Sequence, residues 1–159
     1  MKQKLKQSFY RSNNVIQQSK DLLGKVLVTK FNQKLTGGLI TEVEAYIGAE
    51  DRASHSYNNR KTARTQPMFE KGGIAYIYLC YGIHYLFNIV VGEKNKPYAI
   101  LIRSIEPING INIMLKRRNF SKIQKELTNG PGKLTKALGI TIAMNAVSLT
   151  ENQIWIENH

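Results

Sequence analysis

GGIAYIYLCYGIHYLFNIVVG, residues 72–92, contains no Lys, Arg, Asp or Glu and is long enough to cross a bilayer as a helix. Whether it is a helix or a pair of strands decides the fold. Tyr76, Tyr78, Tyr81, Tyr85, His84, Asn88 and the central Gly82 lower its hydrophobicity. Its β-branched and aromatic content suits two strands. The segment therefore reads as a β-hairpin joined at Tyr81-Gly82 and not as a membrane span.

Working outward, residues 97–106 (PYAILIRSIE) form a further strand, and 108–118 (INGINIMLKRR) a short helix whose cationic end suits its C-terminus. Before the hairpin, residues 48–71 are polar and follow neither period. A connection of that length inside a domain is usually functional or disordered. Residues 39–47 (LITEVEAYI) alternate, with Thr41, Val43, Ala45 and Ile47 on one face and Ile40, Glu42, Glu44 and Tyr46 on the other. Earlier still, Asn13 or Asn14 caps a helix with Val15, Ile16, Leu22 and Leu23 on one face, and Gly24 takes the left-handed position after it. A strand, KVLVTKF (25–31), follows. Near the far end, Gly130-Pro131-Gly132-Lys133 opens a helix whose free amides and lysine suit a phosphate, without the spacing of a nucleotide-binding P-loop. The result is strands mixed with short helices, with no internal repeat.

The length of 159 residues fits one domain able to bury a core without disulfide or metal scaffolding. A formal charge of +12 points to a polyanionic partner, because Lys and Arg release counterions condensed on phosphates. Cys80 is the single cysteine, so no internal disulfide is possible and a reducing cytoplasm is expected. The N-terminal MKQKLKQSFYRSNN has charge but no apolar run behind it, so it is not a secretory signal.

Arg103 lies among Ile and Leu, where a guanidinium needs an anionic partner. Glu42 and Glu44 are the candidates, since an arginine beside a partly buried carboxylate keeps it ionised, as a general base requires. On these residues alone, a pair of solvated strand carboxylates is the plainer reading. The clustered tyrosines can stack bases, although strand packing accounts for most such residues. Tyr81, beside the glycine of a hairpin tip, has little core to join and suits a wedge between base pairs. Histidines 55, 84 and 159 with one cysteine give no zinc spacing, and His55 alone would be a solvated loop residue.

EAYIGAEDRASHS (44–56), PMFEKGGIAYIYLCYGIHYLFNIVV (67–91), AILIRSIEP (99–107) and GPGKLTKALGI (130–140), in that order, resemble the alkyladenine (3-methyladenine) DNA glycosylases. The likeness runs from about Phe9 to Glu157. It implies a single α+β domain with a curved, mostly antiparallel sheet, short surrounding helices and a hairpin that enters DNA. The implied activity is hydrolysis of the N-glycosidic bond of an alkylated or deaminated purine after base flipping, leaving an abasic site. By resemblance, Glu44 is the general base and Arg103 helps hold the water and a backbone phosphate. Tyr46, His55 and Tyr78 line the base pocket, and Asn88 crowds out the amino group of normal guanine. Tyr81 fills the gap left in the duplex, and Lys133 meets backbone phosphate. No metal or organic cofactor is implied. The expected partner is duplex DNA carrying a damaged purine, bound by a monomer in the cytoplasm or, in a bacterium, at the nucleoid.

Two departures accompany the likeness. Ala49 replaces a common proline, and the chain ends at ENQIWIENH where family members usually continue into a segment rich in Gly, Arg and aromatics. The competing expectation is a module of related fold that binds damaged DNA or RNA without cutting, although such a module has no need of a water-activating carboxylate.

Overall fold

The computed structural model describes residues 3–159. Its strands are β1 (Val26–Phe31), β2 (Lys34–Tyr46), β3 (Ala75–Cys80), β4 (His84–Val91), β5 (Tyr98–Asn109) and β6 (Ile154–Glu157). Its helices are α1 (Gln7–Tyr10), α2 (Val15–Leu22), α3 (Ile111–Arg118) and α4 (Pro131–Leu138). The strands make one sheet in the order β3-β4-β5-β2-β1-β6, and every paired neighbour is antiparallel. The fold is therefore α+β. No helix among the described residues is long and apolar enough to cross a membrane.

Residues 72–92 do form a hairpin. At its tip Tyr81 and Gly82 have φ of 50° and 70°, the left-handed pair that mirror-image hairpin turns require. Pleating then sorts the side chains. Ala75, Ile77, Phe87, Ile89, Val91, Ile100 and Ile102 join Leu134, Ala137 and Leu138 of α4 and Met114 of α3 in the main core. Tyr76, Val90 and Ala99 face the other way, against Met68 and Phe69. Those two residues belong to the 48–71 connection, which is ordered and includes 3-10 turns at Gly48–Glu50, Tyr57–Asn59 and Gln66–Phe69. Ser54, Ser56 and Thr65 are buried within it. Burying Met68 and Phe69 removes apolar area from water, which gives a segment without either period its reason to settle on the sheet.

Asn14 caps α2, its side chain accepting from the Gln17 amide at 3.0 Å. Val15 and Leu22 are buried, but Ile16 and Leu23, expected on the same face, are exposed. The strand over 39–47 starts earlier, at Lys34, because Lys34 to Leu39 pair with β1 as the second arm of a hairpin. Similarly, β5 runs on to Asn109, so α3 begins only at Ile111.

The alternation expected in β2 fails at one position. Ile40 faces Ile105, Glu42 faces Ser104, and Val43 faces Ile102. Thr41 is thus an extra residue on β2 and Arg103 an extra residue on β5, two bulges that cancel in register. Ile40 consequently joins Val43 and Ala45 on the core side, not the glutamates.

At the opposite edge β6, a strand not anticipated from the sequence, pairs with β1. The Leu5 amide donates to Ile156 at 2.8 Å, and Lys4 pairs with Glu157. Trp155 lies beneath the Lys4 ammonium, 4.3 Å from the ring centre. The outer side of β3 is closed by residues 145–148: Ala75 donates to Val147 at 2.9 Å, and Ile77 to the Asn145 side chain at 2.9 Å.

Candidate active site

The face of the sheet turned away from the helices carries the site. Tyr76 pairs with Asn88, Asn88 with Leu101, and Leu101 with Glu44. Residues opposite each other in an antiparallel ladder project to one side, so a single row crosses β3, β4, β5 and β2. One pleat along, Ala99 stands between Val90 and Tyr46. Tyr78, two residues after Tyr76, shares that side.

The ordered connection brings His55 over this face. His55 Nδ1 and the Tyr76 hydroxyl lie 2.9 Å apart, and the His55 and Tyr78 rings meet edge to face at 4.6 Å between centroids. Tyr46, His55, Tyr78 and Asn88, together with Tyr76, Ser54, Ala53, Met68 and Ala99, enclose a cavity of about 20 Å³. That volume holds about one water molecule, so a flat base enters only if the aromatic walls part. Asn88 is 1% exposed and donates through Nδ2 to the Tyr76 carbonyl at 3.1 Å, which fixes its amide in the wall.

Glu44 and Arg103 stand beside this cavity and do not line it. Arg103 Nη1 donates to Glu44 Oε2 at 3.0 Å, and Nε donates to Glu42 Oε1 at 3.0 Å. One guanidinium therefore serves both carboxylates. Arg103 stays firmly protonated, held up chiefly by the bond to Glu42 and then by Glu44. The expected shelter of Glu44 is incomplete: its side chain is 45% exposed and that of Arg103 39%.

The aromatic groups are held neutral. The Tyr46 hydroxyl is pushed up to about 12, first by burial and then by the charge of Glu44. Tyr76 rises to about 12 by burial, and Tyr78 is raised for the same reason. His55 is lowered by burial, with the Arg64 charge adding to it. Arg64 stands 5.0 Å above the Tyr78 ring.

Tyr81 and Lys133 lie apart from the cavity. Tyr81 is 93% exposed at the hairpin tip, with Ile83 72% exposed beside it. Lys133, in the first turn of α4, donates to the Asn129 side chain at 2.9 Å. A Cβ at Gly132 would fall 2.7 Å from His84 Cγ, so glycine lets the start of α4 rest against the root of the hairpin. Tyr76 is a wall residue and the partner of His55 that the sequence did not single out. Its place two residues before Tyr78 on a strand was the available signal. Arg64 gave none, being one cation in a polar stretch.

A carboxylate bonded to an arginine, beside a cleft of aromatic side chains, is an arrangement that can direct a water molecule at a group held in that cleft. The chain belongs to the methylpurine-DNA glycosylase family, whose model matches residues 8–159. A Chlamydia felis protein named "Putative 3-methyladenine DNA glycosylase" is 51% identical over 153 residues, covering 96% of this chain and 79% of the relative. Similar proteins bearing that name occur in Clostridium novyi, 44% identical over 160 residues (96% and 79%), and Bacillus cereus AH187, 45% identical over 155 residues (94% and 75%). Membership makes the chain a DNA repair glycosylase, a hydrolase of N-glycosidic bonds.

Proposed function

We propose that the protein excises alkylated or deaminated purines, of the 3-methyladenine class, from duplex DNA, with Glu44 as general base. The observation that carries this is the bond from Arg103 to Glu44 on the same sheet face as the Tyr46, His55 and Tyr78 cleft.

In this reading the damaged nucleotide swings out of the duplex and its base parts the aromatic walls. Extrusion itself selects, since damaged or mispaired bases cost less to unstack. A purine alkylated on a ring nitrogen is cationic, stacks favourably on tyrosine faces and departs as a neutral molecule, so little acid catalysis is needed. Glu44 takes a proton from water as that water attacks the anomeric carbon, and its charge stabilises the oxocarbenium character of the sugar. Arg103, with five N–H donors of which Glu42 and Glu44 engage two, keeps donors for that water and a nearby phosphate. Asn88, immobilised in the wall, excludes the amino group of normal guanine. Tyr81 fills the gap in the duplex from the minor groove, and Lys133 holds backbone phosphate.

The protein acts in this scheme as a monomer and as one domain, with no cofactor. Base release from a duplex bearing 3-methyladenine tests the scheme under single-turnover conditions. Glu44→Gln is expected to abolish release while still binding the duplex. A variant that releases base at the wild-type rate removes Glu44 from its role, and salt-sensitive binding by wild type without any release leaves only a binding module.

A further inference from the structure

Glu42 has no part in the mechanism above, yet it holds the group that the mechanism depends on. We infer that Glu42 is a positioning residue for base release, fixing the Arg103 guanidinium through Nε so that Nη1 meets Glu44. The inference rests on the proposed role of the Glu44–Arg103 pair.

The backbone supplies the first support. Thr41 and Arg103 are extra residues on facing strands, and their bulges leave Arg103 without a partner opposite it between the Glu42–Ser104 and Val43–Ile102 pairs. A bulge re-aims a side chain at the cost of the ladder that would otherwise hold it. Arg103, released in this way, needs another restraint. Its side chain is 39% exposed, so packing supplies only part of it.

The hydrogen bonds supply the second. A single bond from Nη1 to Glu44 leaves the guanidinium plane free to rotate about that bond. A second bond, 3.0 Å from Nε to Glu42 Oε1, fixes the torsions nearer the chain and with them the tilt of the plane. Three of the five N–H donors then remain in a set direction. The Glu42 side chain is 58% exposed, where ion-pair attraction is weak. Its contribution is therefore geometric, and a neutral acceptor of the same shape should serve.

Glu42→Ala and Glu42→Gln provide the test. On a 3-methyladenine duplex, Glu42→Ala is expected to slow single-turnover base release roughly 10- to 100-fold, the scale of a misplaced reacting group. Its Kd should be unchanged or tighter, since a negative charge has left a surface facing phosphates. Glu42→Gln should restore the rate. In an Arg103→Ala background Glu42→Ala should cost nothing further, as expected when one residue acts only through the other. Side-chain nitrogen NMR adds a readout independent of activity: the Arg103 Nε–H signal, assigned by its loss in Arg103→Lys, should exchange slowly in wild type and Glu42→Gln and rapidly in Glu42→Ala. Wild-type release by Glu42→Ala, or a further loss in the Arg103→Ala background, overturns the inference. When wild type is active and Glu44→Gln is not, either result overturns this inference alone; a wild type that releases no base overturns the underlying mechanism as well.

Discussion

His55 and Tyr76 share one short contact, and burial pushes their protonation equilibria towards the neutral form from opposite sides: the imidazole is lowered and the phenol raised to about 12. In the proposed mechanism, neutrality suits a wall that stacks on a flat and often cationic base. It also ties stability to pH. The folded state prefers unprotonated His55, so its contribution is present above the ordinary histidine value of 6.5 and is lost as pH falls through and below that value, where the unfolded chain takes up the proton first. Urea midpoints measured from pH 8 down to pH 5 should fall less steeply for His55→Asn than for wild type. Parallel curves would show that His55 is not held neutral by its surroundings. For Tyr76 the sign reverses, its contribution being complete below pH 10 and lost as pH rises towards about 12.

At the level of elements, α4 links the two ends of the site's support. Its first turn lies against the root of the hairpin at Gly132 and His84. Its last turn is held by Arg117, whose Nη1 donates to the Ala137 carbonyl at 3.0 Å, a cation at the negative end of the helix dipole. Gly139 closes the helix with φ of 77°, and a Cβ there would lie 2.8 Å from Arg117 Cζ. Gly139→Ala should therefore destabilise the fold by about 1–3 kcal/mol, read as a lower urea midpoint at unchanged slope. An unshifted midpoint would mean that the Arg117 clamp yields without cost. The hairpin, α4 and the strand bearing Arg103 were legible because each carries a local signal: Tyr81-Gly82, Pro131 at a helix start, and a charge among aliphatics. The paired bulges carried none. Ile40 and Glu42 sit two residues apart and so read as neighbours on one face, and only the register against β5 separates them. The sequence did offer Glu42 and Glu44 as partners for Arg103, but not that one guanidinium engages both at once, since periodicity says nothing of two irregularities that cancel.

Across the whole molecule, the charge of +12 acts on encounter with the duplex more than on chemistry. If the bound face neutralises roughly 4 to 6 phosphates, log Kd should change with log salt at a slope of about 4 to 5, while release from a saturated complex stays constant. A flat salt response would contradict a phosphate-gripping surface. The strand order was legible from the residues only in part. Hairpins such as β3–β4 join sequence neighbours, whereas β6 reaches β1 across most of the chain, and four residues, IWIE, are too few to declare a period. His55 was likewise placed by tertiary packing: Met68 and Phe69, buried on the sheet, anchor the polar connection that delivers it.

Trp155, the chain's one tryptophan, lies on β6 beneath Lys4, with its indole N–H donating to Glu157 at 2.9 Å. Intrinsic fluorescence excited at the indole band therefore reports on the seam where Lys4 and Leu5 meet the last strand. A change in that emission on addition of DNA would then report a disturbance at that seam.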